Sequence, residues 1–297
     1  MKRINLTLAQ VEVFAAVVKA GSFTIASETL GMTQSAVSHA MAALEKELKV
    51  SLLERDRNGI ALTDIGQRVL IQAERMLTAA EQIRQETSAT VGLETGKVRL
   101  GSFPSVSARF LPGLLRQFRQ RYPGIDVILF EGTDEEVRQW IHARTVDVGV
   151  VTLPSEGLAS VAIARDEFFA VVSENHALAD QAQIQIHQLA QDPFIMSKAG
   201  CEPMIITMFA KAKIVPKIQF EAIDLRTIFA MVHEGIGVTI VPEMALPTNL
   251  SGLHTLRLKP NQFRQLALAV PSLESVSPAV KAFLNDAKDW AQYQGFS

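Results

Sequence analysis

The chain has 297 residues, with 29 Lys and Arg against 31 Asp and Glu, 48% hydrophobic residues and one cysteine. That length supports two or three compact units, each able to bury a core, and the ordinary composition excludes disordered and collagenous classes. A membrane-spanning helix needs about 18 consecutive apolar residues, but the longest strictly apolar run is Val13–Val18. The opening MKRINLTLAQ lacks the apolar centre of a secretory signal. Cys201 stands alone, so neither an intrachain disulfide nor a Cys-based zinc site is available. A cytoplasmic protein with no membrane partner, no metal and no cofactor is expected. Residues 1–90 carry ten basic and ten acidic side chains, leaving 19 against 21 in the remainder. Bulk charge therefore does not advertise a nucleic-acid partner, and any DNA contact has to come from local placement.

The first third reads as helix. Thr7 with Gln10 three residues on fits a capping box, followed by Leu8, Val11, Phe14, Ala15 and Val18 at helical spacing. Gly21 stops that helix. Ser22 is a candidate cap for a second one carrying Phe23, Ala26 and Leu30, and Gly31-Met32 is a tight break before Thr33, another N-cap candidate. In the third helix Val37, Met41, Leu44 and Leu48 form a buried stripe, and Gln34, Ser35, Ser38 and His39 lie off it near the N-terminus. Two short helices around a glycine-containing turn make a helix-turn-helix pattern, which brings such N-terminal residues to base edges.

Asn58-Gly59 between the apolar flanks Leu52-Leu53 and Ile60-Ala61-Leu62 signals a hairpin, and a hairpin beside a helix-turn-helix makes a wing. From Asp64 to about Thr90 a long helix is expected, with one stripe at Ile65, Val69, Met76 and Ile83 and another at Leu70, Ala73, Leu77 and Ala80. So wide an apolar face calls for a partner helix, so dimerisation is expected. Gly92-Leu93-Glu94-Thr95-Gly96 marks a boundary. Beyond it come Val98–Gly101, a helix from about Ser105 to Arg121, Asp126–Phe130, a helix from Asp134, and Val146–Thr152, the β-α-β-α-β order of a doubly wound sheet. The pattern restarts with Phe168–Ser173, Phe194–Ser197, a helix over Glu202–Lys213, Ile218–Ala222, a helix over Leu225–Glu234, and Gly237–Pro242. Gln265–Val270 and a helix over Pro278–Gln294 close the chain. Two α/β halves in succession suggest a two-lobed domain with a cleft.

Gly21-Ser22-Phe23-Thr24, Ala26, Leu30, Thr33-Gln34-Ser35-Ala36-Val37-Ser38, Leu44-Glu45, Leu48, Glu54-Arg55, Leu62-Thr63 and Gly66 stand in unbroken register over residues 6–66. This run resembles the N-terminal domain of LysR-type transcriptional regulators. Lys49 and Leu53 depart from that pattern, standing where Gly and Phe are usual. The resemblance implies an N-terminal all-α winged helix-turn-helix plus a long linker helix. After these it implies a two-lobed α/β effector domain like type II periplasmic binding proteins. The expected divisions are residues 1–62, 63–91 and 92–297, with lobe I at about 97–163 and 267–297 and lobe II at about 164–266. It also implies promoter DNA, a small effector and RNA polymerase as partners, and a homodimer assembling to a homotetramer that activates or represses transcription.

The DNA-contact candidates are Thr33, Gln34, Ser35, Ser38 and His39, with Arg55 and Arg57 of the wing reaching the backbone or minor groove. Their plainer alternative is an exposed helix end and a solvated turn. Ser102-Phe103-Pro104-Ser105 follows the first strand of the second region and opens a helix, whose free N–H groups and dipole suit an anion. The resemblance places the effector cleft here and at the other strand ends, near Thr133, Thr152, Lys198, Ala199, Ile223 and Val241. Either serine could instead be only a cap, and Lys198 only a solvated charge. A small carboxylate is the first expectation for the effector. Cys201 is expected to be an inert thiol.

An enzyme would need a recognisable constellation. Gly92–Lys97 falls one residue short of a phosphate loop, Gly235-Ile236-Gly237 precedes a strand rather than a helix, and the six histidines show no ligand-like clustering. A transport solute-binding protein would carry no winged domain. The remaining rival is a constitutive regulator whose cleft binds no effector.

Overall fold

The structure, a computed structural model, describes residues 5–56, 59–89 and 95–295. The chain divides into two compact units, the first Met1–Gly92 with Ala143–Thr145 and the second Leu93–His142 with Val146–Ser297.

The first unit is built from α1 (Leu8–Ala20), α2 (Phe23–Leu30), α3 (Gln34–Leu48), a hairpin of β1 (Leu53–Asp56) and β2 (Gly59–Leu62), and α4 (Asp64–Ala89). The Thr7/Gln10 capping box opens α1, and Gly21 (φ 62°) and Gly31 (φ 63°) end α1 and α2 in the left-handed conformation that favours glycine. Ser22 takes the N-cap position of α2, but its side chain makes no capping bond. Thr33 caps α3 by accepting from the Ala36 N–H at 3.2 Å. Val11 and Phe14 of α1, Met41 and Leu44 of α3, Leu52 just before β1 and Ala73 of α4 form one core, and Val13, Val17, Ala26 and Val37 a second. A side chain as fully buried as Phe14 contributes about 1.5–3 kcal/mol. In the hairpin Asp56 pairs with Gly59. Gly59 is thus a strand residue of the expected hairpin, and residues 57 and 58 lie outside the described residues.

Two interactions explain the motif that closes this unit. The Glu45 carboxylate accepts from the Leu52 and Leu53 N–H groups at 2.7 and 3.2 Å, holding the hairpin to α3. The Thr63 hydroxyl donates to the Ser51 carbonyl at 2.8 Å and accepts from the Gly66 N–H at 3.0 Å, tying the hairpin to the start of α4. Lys49, the residue after α3, sits at φ 58°. That conformation costs an L-residue about 1–2 kcal/mol, and glycine's extra unfolded-chain entropy costs about 0.4–1 kcal/mol. Lys49→Gly is therefore expected to stabilise the first unit by about 0.5–1 kcal/mol, read as a raised urea midpoint at unchanged slope.

The second unit continues through β3 (Gly96–Ser102), α5 (Pro104–Arg109), α6 (Leu111–Arg121), β4 (Ile125–Glu131), α7 (Asp134–Ala143), β5 (Val148–Thr152) and β6 (Ala159–Ser173). There follow β7 (Gln183–Ile184), β8 (Pro193–Ser197), α8 (Glu202–Lys211), β9 (Lys217–Ala222), α9 (Leu225–His233) and β10 (Thr239–Pro242). The last elements are β11 (Leu253–Leu258), β12 (Phe263–Val270) and α10 (Pro278–Gln294). The helix expected over Ser105–Arg121 is two helices. Pro112 in the first turn of α6 has no N–H, and its ring excludes the carbonyl four residues back, so the chain breaks at Phe110 and restarts.

The sheet is mixed, unlike the all-parallel sheet of a doubly wound fold. β4, β3 and β5 run parallel, but β12 is antiparallel to β5 and β6, and β10 and β11 are antiparallel to β6. The cause is one long strand. The 15-residue β6 pairs with β12 along its first half and with β10 and β11 along its second. It runs through both lobes, and the register with β12 shifts between Leu266 and Ala267. The expected start at Phe168 missed its first half, and β11 was missed altogether. The lobe I core gathers Val98, Leu100, Phe110, Phe118, Leu268 and Phe283, and that of lobe II Phe168, Phe194, Phe209, Ile240 and Leu256. Among the described residues no helix is long and apolar enough to cross a membrane.

Candidate DNA-reading face and effector cleft

On α3 the buried stripe and the polar face separate cleanly. Val37, Met41 and Leu44 are at most 2% exposed, whereas Thr33, Gln34, Ser35, Ser38 and His39 are all exposed on the N-terminal half. The helix has no acidic residue in its first turn, so the positive end of its dipole is uncompensated there. Amide, hydroxyl and imidazole groups on one such face offer both donors and acceptors to base edges and donors to phosphates. Arg55 lies on β1, paired with Ile60. Arg57 lies outside the described residues.

In the second unit a narrow cleft, with about 20 Å³ of free interior space and partly open to solvent, lies between the two lobes. Of the expected residues Phe103, Pro104, Ser105, Ala199 and Val241 line it, together with Ser197, Cys201, Leu225, Ile240, Pro242, Ala245 and Arg264. Ser102, Thr133, Thr152, Lys198 and Ile223 do not. Ser102 is fully buried. The N–H and hydroxyl of Thr133 donate to Glu136 at 2.7 and 2.9 Å, bonds that hold the Glu136 carboxyl below its usual range. The Thr152 N–H donates to Asp134 at 2.5 Å, and its carbonyl accepts from Arg138. Lys198 is ion-paired with Glu202, which raises its pKa, and lies 3.8 Å from Glu221. Ile223 is 75% exposed.

At the helix start Pro104 has no N–H to offer and the Val106 and Ser107 N–H groups donate to the Phe103 carbonyl, which leaves the Ser105 N–H of the first turn.

The chemistry of the cleft centres on a pair that sequence reasoning missed. Arg264 of β12 and Asp166 of β6 are direct cross-strand partners, 3% and 1% exposed. The Arg264 Nε and Nη2 donate to Asp166 Oδ2 at 2.9 and 2.7 Å, and Asp166 Oδ1 accepts from the Met244 N–H at 3.1 Å. The same guanidinium reaches Ser105 Oγ at 2.8 Å and Cys201 Sγ at 3.4 Å, with its carbon 5.1 Å from the centre of the Phe103 ring. One side chain therefore ties lobe I, through Ser105, to lobe II, through Cys201. Burial pushes the Cys201 thiol up, partly offset by Arg264, so it stays protonated at neutral pH. The signal in the sequence was a charge at the head of each apolar run, Asp166 before Phe168–Val172 and Arg264 before Leu266–Val270. Their pairing across 98 positions needs the strand register.

Two family models match the chain. The model of the bacterial regulatory helix-turn-helix protein, lysR family, covers residues 8–67, and the LysR substrate binding domain covers residues 92–292. An uncharacterised HTH-type transcriptional regulator of Bacillus subtilis, YvbU, is 38% identical over 287 residues, spanning 96% of this chain and 98% of the relative. The solved full-length CbnR bound to its target DNA superposes with a TM-score of 0.71 at 24% identity, covering 96% of this chain and all of that one. A full-length OxyR variant from Pseudomonas aeruginosa gives 0.76 at 19% identity, covering 96% and 98%. At these identities the two solved structures speak for the fold.

Proposed function

The chain belongs to the LysR family of DNA-binding transcriptional regulators with an effector-binding domain, not to an enzyme class, and on that premise we propose how its parts divide the work. The first unit, residues 1–62 with the linker helix 63–91, reads promoter DNA in the cytoplasm. Its α3 enters the major groove, with Thr33, Gln34, Ser35, Ser38 and His39 at bases and phosphates and Arg55 and Arg57 at the flanking backbone or minor groove. Residues 92–297 bind a small effector in the cleft centred on Ser105 and Arg264. The observation carrying this reading is the division of α3 into a buried apolar side and an exposed polar side made of groups that contact bases.

Two copies assemble through α4, where Ile71, Met76 and Ile83 leave apolar side chains 41, 41 and 68% exposed for a second helix to cover. Two dimers then form a tetramer. Effector binding shifts the lobes, changes the bend of the promoter and the access of RNA polymerase, and so activates or represses.

Gln34→Ala tests the DNA-reading face. Gln34 is exposed, so the variant should melt within about 0.5 kcal/mol of the parent. A bidentate glutamine–adenine contact is worth about 1–3 kcal/mol, so binding to a fragment upstream of the protein's own gene should weaken by about 10-fold or more. Unchanged affinity in both Gln34→Ala and Ser38→Ala would remove α3 from the groove.

A further inference from the structure

We infer that the cleft takes a compact, uncharged, largely apolar molecule carrying one carbonyl-type hydrogen-bond acceptor, in preference to a carboxylate; this rests on the reading that the cleft is the effector site.

The first ground is charge. Among the described residues Arg264 is the one cation lining the cleft, and Asp166 neutralises it through two hydrogen bonds, with both carboxylate oxygens engaged. Lys198, which does not line the cleft, is paired with Glu202 and lies 3.8 Å from Glu221, so it brings no free charge either. A carboxylate entering here would be desolvated beside a guanidinium whose charge is already spent, a costly transfer. Several donors at the expected anion positions are engaged elsewhere: the Thr133 N–H and hydroxyl donate to Glu136, the Thr152 N–H to Asp134, and the Val106 and Ser107 N–H groups of α5 to the Phe103 carbonyl.

The second ground is what remains free. The Ser105 hydroxyl accepts from Arg264 and the Ser197 hydroxyl from the Ala199 N–H, yet neither donates its own proton to an acceptor among the described residues. Both serines are buried. The Arg264 guanidinium has five N–H bonds; two go to Asp166, one to Ser105 and one to Cys201. One Nη1 donor therefore remains. Two hydroxyl donors and one N–H line an otherwise apolar pocket, enough to supply the two lone pairs of a neutral carbonyl oxygen without a net positive charge. The walls around them, Phe103, Leu225, Ile240, Val241 and Ala245, offer apolar contact alone. An acceptor placed there would compete with Ser105 or Cys201 for Arg264, the side chain that links the two lobes, so occupancy would be felt at the hinge strands β6 and β12.

The test uses matched pairs of probes: benzamide against benzoate, isobutyramide against isobutyrate, and cyclohexanone against cyclohexanecarboxylate. Dissociation constants are read by ligand-observed NMR, and melting temperature by thermal shift. The full-length protein is compared with Ala245→Leu, which fills the cleft from a half-buried wall position, and with Asp166→Asn, which frees the Arg264 charge. The expected result is at least 10-fold tighter binding of the uncharged members, lost in Ala245→Leu, with the preference reversed in Asp166→Asn. Tighter binding of the carboxylates to the parent protein, lost in Ala245→Leu, keeps the cleft as the effector site and overturns the ligand class. Binding of either class that survives Ala245→Leu overturns the site itself. Failure of every uncharged probe to bind at millimolar concentration also overturns the inference. If Asp166→Asn does not fold, the comparison within the parent protein decides alone.

Discussion

Replacing Gly66 by alanine should unfold the DNA-reading unit at a temperature where the rest of the chain is intact. The methyl group would stand 2.1 Å from the Leu52 carbonyl oxygen and 3.0 Å from its carbon, with Leu62 Cδ2 at 3.1 Å. The obstacle is backbone, and it cannot swing aside. The Leu52 carbonyl is held by the Thr63 N–H at 3.0 Å, and the Leu52 N–H by Glu45 at 2.7 Å. Relief therefore requires the hairpin to separate from α4. Overpacking costs about 1–3 kcal/mol where side chains can adjust, so a clash with fixed backbone should cost about 3 kcal/mol or more. For a unit of this size that is a fall in melting temperature of roughly 12–24 °C. Gly31→Ala is the control. Its φ of 63° is unfavourable, but nothing lies within 4 Å of the added carbon, so only about 1 kcal/mol should be lost. Calorimetry of the full chain should show the first transition displaced in Gly66→Ala, the second unchanged, and DNA binding lost with the first. A Gly66→Ala protein that melts within a few degrees of the parent would mean the contact is not there.

That glycine shows why the first unit was largely legible in the sequence. Its determinants are local: Thr7 with Gln10, Gly21, Gly31, Thr33, the Val37–Met41–Leu44 stripe and Thr63 with Gly66 each act within a few residues, so periodicity and capping rules reach them. The misses were also local and small. The Ser22 side chain, for one, makes no capping bond. The second unit was legible as alternating strands and helices, but not in its sheet. A parallel order follows naturally from β-α-β reading. The strand that breaks it, β6, serves two lobes at once, which only tertiary pairing reveals. Pro112 did announce the break between α5 and α6, and the apolar spacing outweighed it.

The cleft was half legible for the same reason. Strand-end positions found Phe103, Pro104, Ser105, Ala199 and Val241, because topology puts them there. Chemistry-bearing side chains were harder. Thr133 and Lys198 have suitable functional groups, yet each is consumed by a neighbour, Glu136 or Glu202, and a sequence does not display such pairings. Arg264 and Asp166 lie 98 residues apart and meet only because β12 and β6 are in that register.

Replacing Arg264 by leucine should be the most destabilising change in the second unit. Asp166, 1% exposed, would keep only the Met244 N–H and would have either to remain charged without a counter-ion or to take up a proton. Removing one partner of a buried pair costs about 3–5 kcal/mol, whereas replacing both with apolar residues of similar size is often neutral or better. The stabilities of Arg264→Leu, Asp166→Leu and the double variant close a cycle. Each single variant should lose about 3–5 kcal/mol, and the double variant should recover most of it. A double variant as stable as the parent yet no longer responsive to any cleft ligand would assign the pair to lobe coupling rather than to stability, since Arg264 is the one side chain that bonds Ser105 of one lobe and Cys201 of the other. Additive losses in the double variant would mean that the two side chains stabilise the unit independently, and that the hydrogen bonds between them carry little of its stability.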